Sequence, residues 1–149
     1  MISEPTNLPA AQRRPVLVTG FRVPVRATSL SGVYRTAARL IARQGLHQGD
    51  LLPDPFNRTL TTPHAERALS LTAALHCATS GDPHRHTPLS DLAVRRLARR
   101  LVVDEQGPYA DDDRSLATHV ENWGDVEGRT TASAVAVLEA AADACEVSA

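Results

Sequence analysis

The spacing of apolar side chains along this chain predicts five helices after residue 28. Within each stretch, apolar residues recur three or four positions apart, as they do on the buried face of a helix. The five stretches are 31–44, from Thr62-Pro63 to about Ser80, from Thr87-Pro88 through Leu101, from the acids at 111–113 to Trp123, and from Thr130 through Cys145. The pattern therefore predicts a mainly α fold.

Several of these stretches carry residues that start or stop helices. Thr62-Pro63 and Thr87-Pro88 each place a capping hydroxyl before a proline at the first helical position. The second helix is apolar nearly all round between residues 69 and 78, so we expect it to be the central buried helix. The residues expected to face inward are Val33, Ala37, Leu40 and Ile41 in the first helix, and Val135, Leu138, Ala142 and Cys145 in the fifth.

Residues 1–28 have a different pattern. Four prolines interrupt any helix there, and Val and Phe alternate between 16 and 25 as in a β-strand. We predict a tail and then an extended arm at 16–27, or a short hairpin that turns at Thr19-Gly20. Because two strands alone are marginally stable, the arm must lie on the helical body or pair with another chain. The chain thus divides into a tail and arm (1–28) and a helical domain (29–149).

The only tryptophan, Trp123, begins a stretch with the features of a helix end, a tight turn and a new helix start. Gly124 follows the last apolar position of the fourth helix, where we expect a positive φ that ends this helix. Asp125 can then accept from nearby amides or pair with Arg129, and Thr130 caps the fifth helix. We expect Trp123 to be a core anchor that holds this turn.

This stretch resembles the signature W-N-D-x-x-G-R-T of a small domain-of-unknown-function family from high-GC, actinomycete-type bacteria. The matching positions are Trp123, Asp125, Gly128, Arg129 and Thr130. Gly124 stands where the family has Asn, a residue that tolerates the same backbone. Residues 37–49 also resemble an upstream family pattern, A-A-x-x-I-x-x-x-G-x-x-Q-G. The resemblance covers about residues 33–144 and implies the helical fold without an assigned activity.

The composition favours one fold class and argues against some kinds of partner. A chain of 149 residues fits one domain, and its scarcity of aromatics leaves a core of Leu, Val and Ala, which favours closely packed helices. All 16 basic residues are Arg, which indicates a GC-rich coding bias rather than guanidinium chemistry. The net charge of −1 provides no overall field that attracts nucleic acid or membranes.

The sequence also indicates the compartment. Cys77 and Cys145 lie in apolar helical patterns and are not expected to form a disulfide. No apolar run approaches the ~20 residues of a membrane span. The N-terminus lacks the basic-then-apolar order of a signal peptide. We therefore expect a cytoplasmic protein without a membrane partner.

His76, Cys77, His84 and His86 lie close together in sequence and are residue types that bind zinc. His76 and Cys77, however, are adjacent on a helix and point about 100° apart. A further well-placed ligand is hard to name. We interpret the group as a buried Cys77 with solvated loop histidines, and we predict no metal and no cofactor.

Three other residues are candidates for binding or catalysis. His47 follows the first helix and can act as an acid or base near neutral pH. His119 lies one turn before Trp123, with Asp125 nearby, and a cleft that holds a histidine beside carboxylates suits acid–base chemistry. The alternative interpretations are a surface loop for His47 and a hydrogen-bonded residue at the edge of the core for His119.

Arg95, Arg96, Arg99 and Arg100 form a basic face on the third helix, and such a face can contact phosphates. The acids at 111–113 are close in sequence and can neutralise it, and no recognition-helix pattern accompanies it. The chain has no phosphate-binding P-loop, dinucleotide-binding or nucleophile-elbow motif, and no lysine for Schiff-base chemistry.

Together these features predict a compact bundle of about five helices with an N-terminal extended arm or short β-hairpin. The favoured function is a non-enzymatic bacterial accessory, interaction or regulatory protein, with a protein partner or a homodimer formed through the arm. One alternative is a DNA-associated protein that uses the Arg-rich face. The other is a small-molecule binder or minor enzyme that uses His47, His119 and Asp125.

Overall fold

The computed structural model describes residues 26–48 and 67–148 of the chain. Five helices follow one another there: α1 Leu30–Gln44, α2 Leu71–Ser80, α3 Pro88–Arg100, α4 Asp113–Asp125 and α5 Thr131–Ser148. The predicted mainly α bundle is confirmed. The strands predicted between 16 and 25 lie outside the described residues.

Each helix begins at a side chain that caps it. The capping oxygens accept a hydrogen bond from the backbone N–H three residues further on, which satisfies a donor that the helix itself leaves unpaired. The capping residues are Ser29, Ser70, Thr87, Asp112 and Thr130. The starts predicted at Thr87-Pro88, among the acids 111–113 and at Thr130 are therefore confirmed.

The predicted start of the second helix is wrong. Residues 67–70 are not helical, and α2 begins only after Ser70. Leu69 instead pairs with the chain that leaves α1: its N–H donates to the Gly45 carbonyl at 3.0 Å, and its carbonyl accepts from the His47 N–H at 2.9 Å. A residue bridged in this way cannot belong to a helix. The Thr62-Pro63 pair lies outside the described residues.

The core lies between α1 and its neighbours α5 and α2, with α3 packed on α4. α2 is buried along most of its length, as predicted, and Val33, Ala37 and Ile41 face the core as expected, whereas Leu40 is only partly buried. In α5, Leu138 and Ala142 are buried, whereas Val135 and Cys145 are only partly buried. The largest fully buried side chains are Tyr34, Ile41, Leu69, Leu71, Leu75, Leu97, Leu116 and Leu138.

Polar contacts tie the outer elements to this core. The Arg35 guanidinium of α1 forms ion pairs with Glu139, Asp143 and Glu146 of α5. The last residues of the predicted arm lie against α2, because the Ala27 N–H donates to the Ala78 carbonyl at 3.0 Å. None of the described helices combines the length and the apolar character that crossing a membrane requires.

Candidate metal-binding site

Two histidines and an aspartate meet where α2 leads into α3, and we call this cluster of His76, His86 and Asp91 the α2–α3 corner. Gly81 ends α2 with φ of 81°, a left-handed conformation that turns the chain back over the helix. The returning loop places the His86 ring on the His76 ring, with centroids 3.9 Å apart. One ligand atom from each of the three residues lies within 4.8 Å of the other two.

One ring nitrogen of each histidine in the corner is held by a hydrogen bond. His86 Nδ1 lies 3.0 Å from Asp91 Oδ1, so its N–H donates to the carboxylate. His76 Nδ1 lies 2.8 Å from the Ser90 hydroxyl oxygen. The Ser90 hydroxyl is also 3.1 Å from the Thr87 carbonyl, so it links the His76 ring to the start of α3. Nε2 of each ring is the nitrogen to which no described residue is hydrogen-bonded.

Burial sets the charge of His76. The side chain is almost fully buried, and this desolvation, with the neighbouring His86, lowers the pKa of His76 to about 4. The ring is therefore neutral at physiological pH. His86 is the accessible side of the corner, with 63% of its side chain exposed.

The corner opens into a cavity of about 180 Å³. Val94 and Ala117 form its apolar wall, and Arg95, Asp113 and Arg114 lie at its rim. An ion held at the corner would thus face a small space next to charged side chains rather than closed protein.

Sequence reasoning named two members of this cluster, His76 and His86, but predicted no metal there. His84 and His86 are exposed, as predicted. Cys77 is half-buried rather than buried; burial raises the pKa of its thiol, and Cys77 is not part of the cluster. The residue that was missed is Asp91. The Thr87-Pro88 helix start was the available signal, because it places Asp91 in the first turn of α3, directly after the histidine loop.

The structure gives the other candidate residues separate surroundings. His119 is buried, and its Nε2 lies 2.8 Å from the Leu101 carbonyl oxygen. A hollow of about 290 Å³ beside it is lined by neither His47 nor Asp125. His47 follows α1 and donates its backbone N–H to Leu69, whereas Asp125 is the last residue of α4.

The Arg-rich face of α3 is partly neutralised, as its acidic neighbours suggested. Arg95 pairs with Asp113 at 3.3 Å, and Arg99 pairs with Asp111 at 2.6 Å. Arg96 and Arg100 are exposed and form no ion pair with the residues that the structure describes.

The turn motif, residues 123–130, which we call the α4–α5 turn, differs from its prediction at one position. α4 runs through Gly124 to Asp125, and the positive φ, 92°, belongs to Gly128. Gly124 is not needed as a left-handed cap, because side chains satisfy the carbonyls at this helix end. Arg129 Nε donates to the Trp123 carbonyl at 2.9 Å, and Gln48 Nε2 donates to the Gly124 carbonyl at 2.8 Å.

Trp123 is buried, with 6% of its surface exposed, which confirms it as a core residue. The Arg129 guanidinium lies over its ring, 3.8 Å from the centroid, a distance typical of a cation–π contact. The motif that resembled a family signature is thus built from contacts that hold two helices together.

Comparison with curated proteins and with solved structures finds no significant match. A family model does match, over residues 25–144, and its description is a family of unknown function, DUF6197. The match covers the five helices almost to the end of α5 and includes both the α2–α3 corner and the α4–α5 turn. The chain therefore belongs to the DUF6197 family of unknown function.

Proposed function

We propose that this protein is a non-enzymatic accessory protein with a regulatory role, and that its input is a divalent transition-metal ion bound at the α2–α3 corner. The observation that carries the proposal is the convergence of His76, His86 and Asp91, with ligand atoms within 4.8 Å of one another. Two imidazoles and a carboxylate are a donor set that zinc and similar ions accept.

To hold such an ion with both His86 and Asp91 as ligands, the corner must give up the hydrogen bond that now joins these two side chains. Zinc binds imidazole nitrogen at about 2.0–2.1 Å and carboxylate oxygen at about 2.0–2.2 Å. His86 lies on the exposed side of the corner and can turn towards the ion, whereas the Ser90 hydroxyl holds the buried His76 ring. With its pKa lowered to about 4, His76 presents a neutral ring, so no proton competes with the metal at neutral pH.

A regulatory role fits the position of the corner in the fold. The ion would link α2, the loop that follows it and the first turn of α3, and would thus fix a surface loop to the core. Of the candidates for acid–base chemistry, His119 is buried, and its Nε2 lies 2.8 Å from the Leu101 carbonyl oxygen. We place this protein in the cytoplasm, where a change in metal supply would act through this loop.

The test is titration of the metal-free protein with zinc chloride, followed by calorimetry and thermal unfolding. We expect one ion per chain. At a free zinc concentration about 100 times the Kd, binding should add about 2.7 kcal/mol to the free energy of unfolding. Magnesium should bind far more weakly, because it prefers oxygen ligands and keeps its bound water molecules rather than exchanging them for imidazole.

Variants of the exposed residues locate the ion. His86→Ala and Asp91→Asn should weaken zinc binding by at least about tenfold. His84→Ala is the matched control, because His84 is exposed in the same loop and lies outside the cluster. Failure to bind stoichiometric zinc, or equal losses in His84→Ala and His86→Ala, would contradict the proposal.

An interaction role would use the N-terminal arm, residues 16–27, as a contact with a partner or a second copy of the chain. Its residues 26 and 27 lie on α2, which leaves the preceding apolar positions as the candidate contact. Deletion of residues 1–27 should lower the oligomeric state in light scattering before it lowers helix content. A full-length protein that stays monomeric at high concentration would argue against this contact.

A further inference from the structure

A second hollow, of about 280 Å³, lies between α1, α3 and α5, away from the α2–α3 corner. We call it the α1–α3–α5 hollow. The small side chains of Ala141 and Ala144 line its α5 side, and Cys145 lies beside them. Tyr34 lines it from α1, while Arg96 and Arg100 line it from α3. Its size is slightly below the range of about 300–1,000 Å³ that is usual for small-molecule sites.

The guanidinium groups around this hollow are not equivalent. Arg99 also reaches the hollow but pairs with Asp111. Arg96 and Arg100 form no ion pair within the described part of the chain, and they lie one helical turn apart, where like charges repel. The acids of the neighbouring α5 face are occupied, because Glu139, Asp143 and Glu146 all contact Arg35.

Tyr34 shows that the two arginines are close to the wall of the hollow. Its hydroxyl donates to the Ala93 carbonyl at 2.7 Å, and burial raises the pKa of Tyr34, while the charges of Arg96 and Arg100 oppose this rise. The hollow therefore combines an apolar floor with a cationic rim, on which Arg96 and Arg100 form no ion pair with the described residues.

We propose that the α1–α3–α5 hollow is a binding site for the phosphate group of a small molecule, held by Arg96 and Arg100. The planar guanidinium presents its N–H donors in a fork that matches two oxygens of a phosphate. Two such groups on successive turns of one helix can contact one phosphate from the same side. An anion between them also removes their mutual repulsion.

The shape of the site favours a small ligand over a nucleic acid. Duplex DNA is usually bound by a convex helix face with several cationic contacts to successive phosphates. On α3, Asp113 and Asp111 neutralise two of the four arginines, and the remaining two border a concave hollow. A ligand of a few atoms beyond its phosphate matches this volume.

Cys145 provides a direct test, because it lines the hollow and Cys77 does not. The full-length protein is treated with iodoacetamide at rising concentrations of inorganic phosphate and constant ionic strength, and the alkylation of each cysteine is followed by mass spectrometry. We expect phosphate to slow the alkylation of Cys145 in a saturable manner and to leave the rate at Cys77 unchanged.

Two double variants distinguish this site from a general effect of positive charge. R96Q/R100Q should abolish the protection of Cys145. R39Q/R43Q is the matched control, because Arg39 and Arg43 are also exposed and one turn apart, but they lie on α1 outside the hollow. This control should keep the protection. Circular dichroism checks that both variants retain their helix content.

Ala144→Leu gives an independent variant, since it fills the hollow without changing any charge, and it should also abolish protection by phosphate. Equal protection in R96Q/R100Q and wild type, or no saturable protection in wild type, would overturn the proposal. Stronger protection of Cys145 by duplex DNA than by phosphate would also overturn it, in favour of a nucleic-acid surface.

Discussion

The α4–α5 turn and the α2–α3 corner both gather polar side chains at a helix end, yet they use them in opposite ways. In the turn, Arg129 stacks on Trp123 and donates to its carbonyl, and Gln48 closes the end of α4. In the corner, one nitrogen of each histidine is bound, by Ser90 or by Asp91. The second nitrogen of each ring forms no hydrogen bond with the described residues.

This difference separates a structural role from a binding role. Donors and acceptors that satisfy one another stabilise the fold and leave little capacity for a ligand. Coordinating atoms that are oriented but not consumed can accept an ion. Substitutions in the turn should therefore change the stability of the metal-free protein, whereas substitutions in the corner should change metal binding.

The largest effect is expected at Trp123. Trp123→Ala removes the buried ring and the surface on which Arg129 stacks, so it should lower the free energy of unfolding by about 3–5 kcal/mol. Denaturant unfolding measures this loss. Tyr109→Ala is the control, because Tyr109 is 97% exposed and should cost less than about 0.5 kcal/mol. Similar losses in both variants would mean that Trp123 is not an anchor.

The two glycines of the turn should respond in opposite directions. Gly128 has φ of 92°, so Gly128→Ala should destabilise the protein by about 1–2 kcal/mol. Gly124 is helical, and a Cβ atom there would lie 3.9 Å from Leu71 Cδ1, an ordinary contact. Gly124→Ala should therefore stabilise by about 0.5–1 kcal/mol. Destabilisation by Gly124→Ala would instead indicate that Gly124 has a left-handed conformation.

These glycines also show what the sequence could predict. The helix starts at Thr87-Pro88 and at Thr130 were predicted correctly because a helix cap depends on residues within one turn of it. The positive φ predicted at Gly124 was wrong because the donor that satisfies its carbonyl, Gln48, is distant in the sequence. The start of α2 was wrong for a similar reason, since the pairing of Leu69 with Gly45 excludes an earlier start.

The same limit applies to the α2–α3 corner. Residue type and spacing identified His76 and His86 as possible zinc ligands. The two rings stack, however, only because the chain reverses after Gly81. Asp91 completes the cluster only because α3 begins where it does. A pattern of residues can thus suggest ligand types, whereas the turn geometry determines which of them meet.

Glu121 lies two residues before the turn and joins α4 to α2, and its effect on stability should depend on pH. Its carboxylate accepts from the N–H and the hydroxyl of Thr72, and burial raises the pKa of this carboxyl above its ordinary value. The folded protein therefore holds the proton more tightly than the unfolded chain. The resulting stability is fully present below the unfolded pKa and is lost as pH rises through the folded pKa.

Glu121→Gln removes this titration. The stability of this variant relative to wild type should therefore improve as the pH rises from the unfolded pKa of Glu121 through its folded pKa. Denaturant unfolding at a series of pH values measures the difference. Glu127→Gln is the control, since Glu127 is exposed near the same turn. Parallel pH profiles for the two variants would show that burial of Glu121 does not influence folding.

The smallest effect is expected in the corner, at His86. In the metal-free protein His86→Ala removes a largely exposed ring and its hydrogen bond to Asp91, and exposed substitutions of this kind usually change stability by less than about 0.5 kcal/mol. Denaturant unfolding of chelator-treated His86→Ala, compared with wild type and with His84→Ala, measures this change. After addition of zinc, wild type and His84→Ala should gain the same stability, and His86→Ala should gain clearly less. A loss in metal-free His86→Ala as large as that of a turn variant would mean that the corner, like the turn, stabilises the fold by its own contacts.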